Sequence, residues 1–122
     1  MFDHVGITVS DLERSRAFYA AVLAPLGAQE LMEGPEAVGF GVDKPRFWIV
    51  HGTPSPAAPR VHVAFEAASR LEVDTFHRTA LEAGGIDNGP PGLRPHYHEH
   101  YFAAFVLDPD GYNVEAVCHR AA

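Results

Sequence analysis

A strand followed by a capped helix occurs twice in this chain, once in each half and in the same order. Repetition of that kind restricts the fold before any single residue is considered, because each copy needs a partner to cover its apolar face. In the first copy Phe2 to Val9 reads as a strand, with Val5, Ile7 and Val9 on one side and His4, Gly6 and Thr8 on the other. Ser10 to Glu13 (SDLE) reads as a capping box opening a helix whose apolar face is Leu12, Phe18, Tyr19, Val22 and Leu23. Pro25 and Gly27 end it. Three short strand candidates follow: Ala28 to Glu33, Ala37 to Val42 and Arg46 to His51.

The second copy starts at the strand Val61 to Glu66, with His62 early in it. Ser69 to Glu72 (SRLE) is a second capping box, and Val73, Phe76, Ala80 and Ala83 form a second helical face that Gly84-Gly85 stops. Ile86 to Pro95 reads as a long Gly/Pro-rich loop with room for a short strand at its start. Tyr101 to Leu107 and Asn113 to His119 are the closing strands. The order is strand, helix, three strands, written twice. The expected division is one domain over 1–122, with module one at 1–52, a proline-rich linker at 53–59 (TPSPAAP) and module two at 60–122. Superposing the copies aligns His4 with His62 and Trp48 with Glu115.

Glu115 is the residue that most needs a partner. Phe105-Val106-Leu107 and Val114 to Val117 flank Asp108-Pro109-Asp110-Gly111, a proline-and-glycine turn, so the segment reads as two strands. Alternation places Glu115 on the face opposite Val114 and Ala116. A lone carboxylate there faces water, an arginine such as Arg94 or Arg120, or a metal ion.

Composition removes several function classes. A formal net charge of −7 argues against binding to nucleic-acid backbones or anionic membrane surfaces. No apolar run approaches bilayer length, and Met1-Phe2-Asp3 leads into a strand pattern rather than a signal peptide. The single cysteine, Cys118, cannot form an internal disulfide, which suits a reducing cytoplasm, and reads as a small buried hydrophobe. Gly84-Gly85 and Gly89 to Gly92 are turn chemistry with no Walker-type lysine after them, and no Gly-x-Ser-x-Gly elbow exists.

Across essentially its whole length the chain resembles the vicinal oxygen chelate superfamily, most specifically in FDHVGITVSDLERSRAFYAAVLAPLG and FVLDPDGYNVEAV. That group includes glyoxalase I, extradiol dioxygenases, fosfomycin-resistance transferases and bleomycin-resistance proteins. The resemblance implies an α+β fold of two βαβββ modules packed to form a cleft lined by curved mixed sheet. It also implies metal ligands on the first and last strands of each module, here His4, Trp48, His62 and Glu115. Trp48 has no ligand atom, which leaves two histidines and one carboxylate, a set suited to Fe, Mn, Ni or Zn with positions open for substrate. Two functions stay open. One is a metal-dependent enzyme with glyoxalase-like lyase, isomerase, transferase or dioxygenase-type chemistry; the other is a non-catalytic small-molecule-binding protein of the bleomycin-resistance type. Trp48, Phe47 and Arg94 are the expected substrate-binding residues, and His98 and Tyr101 the expected proton-transfer residues. The partners implied are a small molecule and a second copy in a homodimer, with the cleft either within one chain or shared.

His96, His98 and His100 alternate with Tyr97, Glu99 and Tyr101, and would share a face if extended. That stretch is open to three readings: a second metal site, a solvated loop or a subunit contact. His51 and His77 read as surface residues, and His119 as a cap on the last strand.

Overall fold

The computed structural model describes residues 1–56 and 61–122. The elements run β1 (Val5–Val9), α1 (Leu12–Leu23), a 3-10 turn (Ala24–Leu26), β2 (Gln29–Glu33), β3 (Ala37–Gly41), β4 (Phe47–His51), β5 (His62–Glu66), α2 (Arg70–Glu82), β6 (Ile86–Leu93), β7 (Phe102–Leu107) and β8 (Asn113–Cys118). They form two four-stranded mixed sheets, ordered β1-β4-β3-β2 and β5-β8-β7-β6. Each is a βαβββ module in which the first strand runs parallel to the last and the remaining pairs are antiparallel. The expected linker falls partly on residues 57–60, outside the described residues.

One face of each sheet is covered by its helix. Phe18, Tyr19, Val22 and Leu23 of α1 pack on Ile7, Val9, Val38, Phe40 and Ile49, while Val73, Phe76 and Ala80 of α2 pack on Ala104, Val106, Val114, Ala116 and Cys118. These groups merge into one core through the contact of α1 with α2 and the edge-on meeting of Phe47 and Phe65 at 5.0 Å between ring centroids. The other face of each sheet, carrying Trp48 in one module and Glu115 in the other, has no helix over it.

The turn between β7 and β8 welds the modules together. Gly111 takes φ 88°, and its N–H donates to the Asp108 carbonyl at 2.9 Å, the expected turn chemistry. The Asp108 side chain is buried and accepts from the Asp110 and Tyr112 N–H groups, both at 2.9 Å, and from the Tyr19 hydroxyl at 2.5 Å. Burial raises the Asp108 carboxyl above its ordinary range, opposed by these hydrogen bonds. Tyr112 donates its hydroxyl to the Thr8 carbonyl of β1, and Asp110 accepts from the Ser10 hydroxyl at 2.5 Å.

Three local expectations are corrected. Ser10 is not the cap of α1; Asp11 is, its carboxylate accepting from the Arg14 N–H at 3.1 Å, because the Ser10 hydroxyl is drawn to Asp110. Ser69 does cap α2, accepting from the Glu72 N–H at 3.1 Å. The segment expected as a loop from Ile86 is an eight-residue strand. It tolerates Pro90 and Pro91 because it lies at the sheet edge and its register slips twice, between Asp87 and Gly89 and between Gly89 and Gly92. Finally, 95–97 is a turn in which Tyr97 donates its N–H to the Arg94 carbonyl, so His96, His98 and His100 do not line one face of an extended strand.

Candidate metal and small-molecule site

The register of the sheets builds the site. Ala64 on β5, Glu115 on β8 and Phe105 on β7 lie abreast across the second sheet. The equivalent row in the first sheet is Gly6, Trp48 and Gly39. The sequence alignment of Trp48 with Glu115 is therefore a true structural equivalence, and each histidine stands two residues before the matching Gly6 or Ala64.

Glu115 is 1% exposed despite lying on the helix-free face. Its Oε1 meets His62 Nε2 at 2.6 Å, and its Oε2 accepts from the Tyr101 hydroxyl at 2.6 Å. The other nitrogen of His62 fixes the tautomer. Nδ1 lies 3.1 Å from the Asn113 carbonyl, which can only accept, so Nδ1 carries hydrogen. Nε2 is thereby aimed at a carboxylate oxygen, and two such atoms in contact need either a shared proton or a cation between them. Histidines that bind metals are oriented in this way, by a carbonyl on the far nitrogen. The His62 ring also stacks on Phe105, 6.1 Å between centroids and 23° from parallel. Neither Arg94 nor Arg120 takes the role of ion-pair partner to Glu115.

Tyr101 is held as a proton donor. Burial first, and then its bond to Glu115, raises the phenol well above its ordinary value, while the Arg94 charge acts in the opposite direction. Arg94 extends over the Phe105 ring, 5.4 Å from its centroid, and donates to the Pro90 carbonyl at 2.9 Å. Four side chains named from sequence, His62, Tyr101, Arg94 and Glu115, thus gather on one face of one module.

The remaining candidates sit elsewhere. His4 is exposed, its Nδ1 2.7 Å from Asp3 Oδ1. It lines, with His62, a groove of about 540 Å³ between β1 and β5. Among the described residues, no group of three His, Cys, Asp or Glu within one chain is arranged to hold a metal ion. Trp48 lies across Gly39 on the open face of the first sheet and, with His4, Lys44 and Pro45, lines a second cavity of about 500 Å³. Phe47 points the other way, into the core between Tyr19 at 4.9 Å and Phe65, and also lines the groove. His98 is exposed, and its ring neighbours are His100 and His119 at 6.3 and 5.8 Å. His77 is more enclosed than a surface histidine, 12% exposed and bonded to Asp87 at 2.9 Å.

Sequence reasoning missed Asn113 and Phe105. Both could have been found by counting outward from Asp108–Gly111, since a hairpin closed by that turn sets Phe105 opposite Glu115 and Leu107 opposite Asn113.

Comparison with known proteins agrees with this architecture. A protein from Bacillus subtilis, YqjT, described only as uncharacterised, is 32% identical over 128 aligned positions, covering 93% of this chain and 95% of that one. The crystal structure of a glyoxalase/bleomycin resistance protein from Albidiferax ferrireducens superposes with a TM-score of 0.87 at 30% identity, covering 97% of this chain and 98% of the other. A genomically encoded fosfomycin resistance protein from Listeria monocytogenes shares the fold at a TM-score of 0.73 and 20% identity, covering 97% and 92%. The profile of one family matches residues 1–116, and with the paired βαβββ modules already described it places this chain in the Glyoxalase/Bleomycin resistance protein/Dioxygenase superfamily.

Proposed function

We propose that the open face of the second sheet is a small-molecule site in which His62 and Glu115 supply two ligands to a divalent transition metal, Fe, Mn, Ni or Zn, in an enzyme of glyoxalase- or dioxygenase-like chemistry. The contact between His62 Nε2 and Glu115 Oε1 carries this reading, because a cation that displaced their shared proton would find both atoms directed at one point and the ring held by the Asn113 carbonyl. His4 is the third ligand. It joins the pair from a second copy of the chain or across the groove it shares with His62. Helix-free faces on both sheets favour the first route, a homodimer in which module one of one chain covers module two of the other.

When bound, such an ion polarises adjacent oxygens of a small molecule and stabilises negative charge that develops on them. The chain's own residues do the rest. Tyr101 keeps Glu115 in place through Oε2 and holds a proton at its hydroxyl throughout the neutral range. Phe105 fixes the His62 ring, and Trp48 supplies an apolar wall to the opposite module. His98, on the exposed turn, is the more distant proton carrier.

A second reading has its own support. Both oxygens of Glu115 already have donors, so the carboxylate is stable on a shared proton alone, as a non-catalytic binding protein would require. Elemental analysis of the purified wild type beside His62→Ala separates the two. The metal reading expects stoichiometric transition metal in the first and background in the second. Equal content in both removes His62 from the site. No metal in either, with no gain in melting temperature on adding Mn, Ni, Zn or Fe(II), leaves the binding-protein reading standing.

A further inference from the structure

Arg94, just past β6, contrasts with Arg16 of α1 and Arg46 before β4, and shares with Arg70, Arg78 and Arg120 the lack of a carboxylate partner among the described residues. Arg16 forks onto Glu30 with both contacts at 2.7 Å, and Arg46 onto Asp43 at 2.9 and 3.2 Å. Arg94, in an acidic chain, has among the described residues no carboxylate partner at all; its guanidinium donates to the Pro90 carbonyl and lies over Phe105. Two glycines lie close beneath it. A Cβ at Gly89 would come 3.2 Å from Nη2, and one at Gly92 would come 3.1 Å from Nη1. The bulged, glycine-rich edge strand therefore forms a cradle for a single cation, and Phe105 carries that cation on the row that also holds Glu115. Its charge reaches the Tyr101 hydroxyl. A half-buried guanidinium without a carboxylate partner, lying over a ring on the same row as Glu115, has unused donors for a planar oxyanion.

We propose that Arg94 is an anion subsite on this face, so that the small molecule taken there carries a carboxylate or a comparable oxyanion, gripped by the guanidinium while the rest of the molecule lies along Phe105 toward His62. The proposal rests on the small-molecule reading of the face and is indifferent to whether a metal is bound. The bulges of β6 bring glycine backbone close beneath the guanidinium, where an added Cβ would press on it.

Benzoate and benzamide form a matched probe pair, close in shape and different in charge, and titration calorimetry on the full chain compares them. The expected result is that wild type binds benzoate at least tenfold more tightly than benzamide, that Arg94→Gln abolishes the preference, and that Arg94→Lys keeps only part of it. Arg78→Gln, an exposed change on α2, should leave the preference intact and so controls for net charge. The readout is a ratio within each variant, so a loss of folded protein lowers both affinities alike and does not move it. Equal binding of the two probes to wild type, or an undiminished preference in Arg94→Gln, overturns the anion subsite while leaving a small-molecule site in place. Failure of wild type to bind either probe overturns the subsite together with the small-molecule reading.

Discussion

The two modules share one backbone plan and use equivalent rows of residues for opposite ends. In module one the row is Gly6, Trp48 and Gly39: a large indole flanked by two residues without side chains. In module two it is Ala64, Glu115 and Phe105: a smaller acidic side chain with a large neighbour. The two rows differ in polarity. One sheet offers an apolar wall and the other a buried carboxylate held between an imidazole and a phenol. A duplicated scaffold can therefore divide its labour, with the groups that bear charge gathered in the half that has donors to satisfy them.

The sharpest test of that division is metal retention. Glu115→Gln should weaken binding of added Mn or Zn by about 100-fold or more, whereas Trp48→Ala should leave it unchanged. Loss of metal in both variants would break the comparison, since the indole would then matter to the ion as well as to the wall. The next effect concerns volume. A Cβ on Gly39 would fall 2.8 Å from Pro45 Cβ and 2.9 Å from the Trp48 ring, so Gly39→Ala should cost about 1–3 kcal/mol in denaturant unfolding. The same change in a Trp48→Ala background should cost less, and a double-mutant cycle measures how much of the penalty belongs to the indole. Undiminished cost would assign it to Pro45 instead.

Capping gives a smaller contrast between the copies. Ser69→Ala removes the cap of α2 and should cost about 1 kcal/mol. Ser10→Ala, at the matching position in sequence, leaves the α1 cap to Asp11, and its cost should come from the lost bond to Asp110. Adding Asp110→Ala to each distinguishes them, because only the Ser10 effect should then shrink. The last effect is one of slope with pH. Burial raises the Asp108 carboxyl in the folded state, so its contribution is fully present below the ordinary carboxylate range and is lost as pH rises through the raised folded value. Melting temperatures of wild type and Asp108→Asn should therefore diverge in the variant's favour as pH rises from the ordinary carboxylate range. A constant difference over that rise would mean that hydrogen bonds from Tyr19, Asp110 and Tyr112 offset the cost of burial.

Much of this arrangement was written locally. Alternation in Val114 to Val117 put Glu115 on the face opposite Val114 and Ala116, the two helical stripes and the Ser69 cap defined the repeat, and the Asp108–Gly111 turn closed its hairpin where expected. Those features depend on neighbours a few residues apart, and periodicity reports them directly. Errors arose where a distant group competed for the same atom. Ser10 carries a sound capping signal, yet its hydroxyl goes to Asp110, a hundred residues away. Pro90 and Pro91 signal a break, yet an edge position and two bulges make them compatible with a strand.

The sequence alone determined the paired βαβββ plan and the identity of the residues able to bear charge on it, because alternation and helical spacing are properties of the chain itself. Only the tertiary structure decided which of those residues meet. Strand register brought His62, Tyr101 and Arg94 to the face of Glu115 and left His4 on another sheet, and register is set by packing and turn closure over the whole module, not by any stretch of residues read alone.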